Sequence, residues 1–161
     1  MVLSFTLAGC YEAKIPMKEK ADKFAPELLG HWIEVMPAGG AADPLKSSTP
    51  SEIVIDAGGP EEYSIRHQNS MGEVSRFRAF IVMVNDVPFL NAQVTEGEAD
   101  MVGKYFFFRY AINEGRLELR MVSDRFIKQQ FATSEELYNF IRENLENAKL
   151  CEDAVLFKTA P

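Results

Sequence analysis

The feature that most constrains this chain lies at residues 105–121, YFFFRYAINEGRLELRM. Leu117, Leu119 and Met121 alternate with Glu118 and Arg120, a period of two that belongs to a strand with one wet face. Slipping such a strand by one residue would carry its apolar set to the solvent, so burial fixes the register. Asn113-Glu114-Gly115 supplies the turn, and Gly115 stands where a type I turn followed by a G1 bulge needs a left-handed residue. The upstream arm holds five aromatics in the six residues from Tyr105 to Tyr110. A strand that is apolar on both faces must be covered on both. One face of this arm is therefore expected to line an interior, and the other to lie beneath the helix expected downstream.

Similar alternation recurs along the chain. Ile53 and Ile55 oppose Glu52, Val54 and Asp56; the turn AGGPE follows; then Tyr63, Ile65 and His67 oppose Ser64, Arg66 and Gln68. Over 74–86, Phe77, Ala79, Ile81 and Met83 share one face, with Arg76, Arg78 and Phe80 on the other. A turn at Asn85–Pro88 leads into a strand over 89–94, and short strands are expected over 28–35 and at the C-terminal end. Two segments read as helical. Residues 123–131 form a short piece capped by Ser123, and 133–148 opens with the capping-box pattern Thr133-x-x-Glu136 before the stripe Leu137, Phe140, Ile141 and Leu145. The expected fold is mostly β: an antiparallel barrel or strongly curled meander of about eight strands with one C-terminal helix.

Gly30-x-Trp32 at the first strand, preceded by Leu28 and Leu29 and followed by this meander, resembles the opening of lipocalin-like (calycin) barrels. The resemblance implies that Trp32 packs across a closed base. The pattern from FLNAQ through YFFFRYAINEGRLELRMV to FATSEELYNFIREN is also similar to a group of small bacterial lipoproteins of unknown function. At the other end, LAGC at residues 7–10 resembles a bacterial lipobox. That likeness implies cleavage before Cys10, acylation of its thiol and a membrane anchor. Tyr11, where an Asp would signal retention at the inner membrane, implies sorting to the periplasmic face of the outer membrane. The organisation on this reading is a signal remnant at 1–9, a polar tether at 10–27 and one β domain at 28–161. Alternatively, residues 2–8 are a short edge strand or loose terminus of a cytoplasmic domain. Cys10 and Cys151 could then form one disulfide; an acylated Cys10 would leave Cys151 a lone thiol.

The net charge of −7, with the lysines at 14, 18, 20 and 23 diluted by Glu12, Glu19 and Asp22, argues against a nucleic-acid partner. His31 and His67 lie in no metal-ligand spacing, and no metal or cofactor is expected. No G-x-S-x-G elbow exists, Cys151 sits beside Glu152 and Asp153, and Glu61 and Glu62, adjacent in sequence, point to opposite faces. Catalysis is therefore not the expected role. The residues expected to wall an interior cavity are Trp32, Tyr63, His67, Phe77, Ile81, Phe106, Phe108, Leu117 and Leu119, with His67 a hydrogen-bonded wall residue. The expected function is a membrane-tethered binding module for a small apolar or amphipathic molecule. An envelope structural or protein-interaction module with a filled barrel is the alternative, and a hydrolase stands third.

Overall fold

The structure is a computed structural model and describes residues 9–36 and 49–161. Residues 1–8 of the signal remnant expected at 1–9, and most of the loop after the first strand, 37–48, lie outside the described residues.

Eight strands close into one antiparallel barrel in sequence order: β1 (Gly30–Glu34), β2 (Glu52–Gly59), β3 (Glu62–Gln68), β4 (Val74–Val84), β5 (Val87–Glu96), β6 (Tyr105–Asn113), β7 (Arg116–Met121) and β8 (Val155–Thr159). Closure comes from β1 pairing with β8, Ile33 opposite Lys158, so the barrel has no open edge. The alternating residues read from the sequence do face inward. Ile53, Ile55, Tyr63, Ile65, Phe77, Ala79, Ile81, Phe106, Phe108, Leu117 and Leu119 form one buried cluster with Trp32 and Phe157.

The turn between β6 and β7 differs from expectation. Asn113 pairs with Arg116, which leaves a loop of two residues, and Glu114 and Gly115 both have positive φ, 51° and 72°. This is the type I′ geometry, whose twist suits two strands joined so tightly. The β2–β3 hairpin carries a bulge between Ala57 and Gly59. A Cβ on Gly58 would lie 2.9 Å from the backbone of Tyr63 and Ser64, so only glycine fits there.

A second apolar layer lies outside the barrel, over β4, β5 and β6. Helix α1 (Ser134–Glu143) sets Leu137 and Ile141 on Val82, Val84, Phe89 and Phe107. Phe107 is thus the outward aromatic of the arm that needed cover on both faces. The capping box at Thr133 and Glu136 forms as the sequence implies. The helix stops at Glu143, short of 148, because the Asn144 side chain donates to the carbonyl of Phe140 at 2.8 Å and the chain turns; Leu145 is still buried beyond it. Residues 123–131 contain no helix. Ser123 spends its N–H on Leu150, and a single bond from Ile127 N–H to the Ser123 carbonyl closes one turn before Ile127 drops into the outer layer.

The stretch that reads as a polar tether, 10–27, is a strap bound to the wall. Cys10 pairs with Ser123, Ala13 with Tyr105 and Lys23 with Ile81, so the strap crosses the outside of β6, β5 and β4. Tyr11, Ala13 and Met17 are buried in the outer layer, and the Tyr11 ring stacks on Phe107 at 6.2 Å. Its apolar residues are spaced irregularly, which is why no helix or strand period announces it. Asn91 clasps its middle: Oδ1 accepts from Met17 N–H at 3.1 Å and Nδ2 donates to the Lys18 carbonyl at 3.3 Å.

Candidate functional site

The strap ends in a 3-10 turn at Pro26–Leu28 that closes one end of the barrel. Trp32 rises from it, fully enclosed, and its indole N–H donates to the Leu28 carbonyl at 2.9 Å. Beside it the Tyr63 hydroxyl accepts from Ala25 N–H at 2.7 Å and donates to the Ala25 carbonyl at 3.2 Å, while Phe24 stacks on the Tyr63 ring at 4.8 Å. Burial holds the Tyr63 phenol above its ordinary pKa. These two residues, with Ile81, Phe106 and Leu117, fill the interior as core. The Tyr110 hydroxyl is also buried there, with no hydrogen-bond partner among the described residues.

Above this plug lies a cavity of about 40 Å³. His67, Phe77, Phe108 and Leu119 line it, joined by Ile53, Ile55, Ile65, Leu90 and Ala92. The last five stand on the same inward period of β2, β3 and β5 and were legible by the same rule. Trp32, Tyr63, Ile81, Phe106 and Leu117 are not among its lining residues. His67 is the one ionisable group in the wall, and burial pushes its pKa down to about 4, so the ring is neutral at neutral pH. The chamber is small against the ~300–1,000 Å³ of ordinary ligand pockets. It can take the end of an apolar group, not a whole amphiphile.

The far end of the barrel is rimmed by exposed apolar side chains: Met36 beyond β1, Met71 and Val74 at the β3–β4 turn and Val102 in the β5–β6 loop. Cys10 lies at the same end. Its side chain turns inward against Met121 Sδ, and burial, with Asp124 and Glu152 nearby, pushes the thiol up to about 12. In this packed form Cys10 is 5% exposed, and an acyl group on its thiol has no room unless the strap lifts. His31 stands outside the barrel, its Nε2 2.9 Å from Glu52, and Glu62 is engaged by Arg78. Among the described residues no cluster of His, Cys, Asp and Glu could hold a metal, and no helix is long and apolar enough to cross a membrane.

The architecture, an eight-stranded closed antiparallel barrel with a plugged base and one helix, agrees with a lipocalin-like fold. No protein-family model matches the chain, and neither the curated proteins nor the solved structures give a significant match.

Proposed function

We propose that this barrel is a binding module for a small apolar molecule, or for the apolar end of an amphiphile, entering at the rim opposite Trp32. The observation that carries the reading is the void enclosed by Ile53, Ile65, Phe77, Ala92, Phe108 and Leu119, with neutral His67 as its single polar wall group. Apolar cavities of this kind stay dry, so filling one with a methylene chain gains contacts without displacing bound water. The test is a titration with n-octanol followed by amide and methyl NMR. Saturable shifts at Leu90, Ala92 and Leu119 are expected, and Ala92→Leu, which fills the void, should abolish them without loss of stability. Octanol that leaves those signals unmoved overturns the reading.

A second reading rests on the small volume and on the exposed rim of Met36, Met71, Val74 and Val102: a filled barrel whose rim meets an envelope protein. A rim variant, Val74→Glu with Val102→Glu, that loses a cross-linked partner in cells while octanol binding is absent would favour it. The anchor at Cys10, and with it a place on the outer membrane, is supported by LAGC alone and needs a second form of the chain with the strap unpacked. Intact mass after expression in a diderm bacterium tests it. A multi-acyl increment on Cys10 supports the anchor, and an unmodified thiol removes it.

A further inference from the structure

Outside the barrel, Arg109 on β6 and Arg120 on β7 stand directly opposite one another on the outward face. Like charges in that register repel and destabilise a sheet unless something neutralises them. Glu118 answers one, its Oε1 2.7 Å from Arg120 Nε; Arg109 has no ion pair among the described residues. The two guanidiniums border a cleft of about 320 Å³ between the β6–β7 wall and the chain that follows α1. Its floor includes buried Leu150 and half-buried Cys151, and Asn147 adds an amide. We propose that this cleft binds a small monoanionic carboxylate with an apolar body.

The charge count favours a monoanion. Arg109, Arg120 and Glu118 are the charged residues lining the cleft, two positive and one negative, which leaves one positive charge unanswered. On a chain of net charge −7 that is a local exception. Guanidinium recognises carboxylate in a planar, two-point geometry, and the volume lies within the ordinary range for small ligands, ~300–1,000 Å³. Both arginines reach the floor electrostatically. Burial raises the Cys151 thiol to about 11, with Arg109 and Arg120 pulling the other way and Glu152 adding a smaller push upward. The cleft is separate from the barrel void, so this site stands whether or not the interior binds anything.

Benzoate, titrated at low ionic strength against the whole chain and followed by amide NMR, tests it. Saturable shifts are expected at residues 109–111 and 147–151, with none at Ala92 or Leu119. Benzamide, the same shape without the charge, should give no saturation. Arg109→Gln should weaken benzoate at least fivefold, and Glu118→Gln, which frees a second positive charge, should tighten it. Absence of cleft shifts, equal binding of benzamide, or indifference to both substitutions would overturn the proposal. Both substituted positions are solvent-accessible, and an unchanged Tm checks that each variant is folded.

Discussion

Cys10 and Cys151 flank the same piece of chain from opposite sides and on opposite faces. Cys10 pairs with Ser123, and Cys151 with its neighbour Val122. Adjacent strand residues point to opposite faces, and two strand spacings put the Cα atoms about 10 Å apart. A disulfide needs Cα atoms within roughly 7 Å and converging Cβ vectors. The bridge that the two cysteines allow on paper is therefore closed to the folded chain. An oxidant such as diamide should give no intramolecular loss of two hydrogens by intact mass. Native Cys10 should react with a disulfide reagent more slowly than half-buried Cys151, and both should become fast in denaturant.

The two interior tyrosines should respond oppositely to loss of their hydroxyls. Tyr63→Phe orphans the buried Ala25 N–H and removes one of the two bonds to the Ala25 carbonyl, which Leu28 N–H still serves at 3.1 Å; it should cost about 1–3 kcal/mol in urea unfolding. Tyr110→Phe removes an unpartnered hydroxyl from the core and should be neutral or stabilising by up to about 1 kcal/mol.

His67 sets a pH dependence whose sign is fixed. Its folded pKa, about 4, lies below the ordinary histidine value of 6.5, so the unfolded chain binds the proton first as pH falls. The stabilisation is complete above about pH 6.5 and is lost progressively toward pH 4, by about 3 kcal/mol in all. Unfolding free energies measured across that window should fall with acid in the native protein. His67→Gln should flatten that part of the slope.

Asn91 should govern the strap. Asn91→Leu removes both clasp bonds while keeping the side chain apolar in a buried place, and leaves Met17 N–H unsatisfied, at a cost of about 1–3 kcal/mol. Hydrogen exchange should quicken across residues 11–23 and leave the amides of β6 and β7 protected. Uniform acceleration would mean that the strap and barrel open as one unit.

The helix cap gives a control on the outer layer. Thr133→Ala removes the acceptor for Glu136 N–H and should lower stability by about 1 kcal/mol, seen as a shift of the urea midpoint with an unchanged slope.

Much of the barrel was legible because a period of two names the inward residue wherever the opposite face is wet. That rule placed Ile53 through Leu119 and the cover over Phe107, and Thr133 announced the helix start by its own chemistry. By itself, then, the sequence determined the strand pattern, the inward set and the helix cap, all of which depend on neighbours within a few residues. Tertiary structure decided the rest. The same inward period cannot say which residues fill the base and which border a void, since Trp32 and Phe108 alternate alike yet only the second meets the cavity. The strap was hidden because Tyr11, Ala13 and Met17 are held by Phe107, Tyr105 and Asn91, more than seventy residues away, and not by any local period. The arginine pair was hidden for the same reason: Arg109 and Arg120 become opposite only once the hairpin at Glu114–Gly115 fixes their register, and the cleft exists only once the chain after α1 folds back over them.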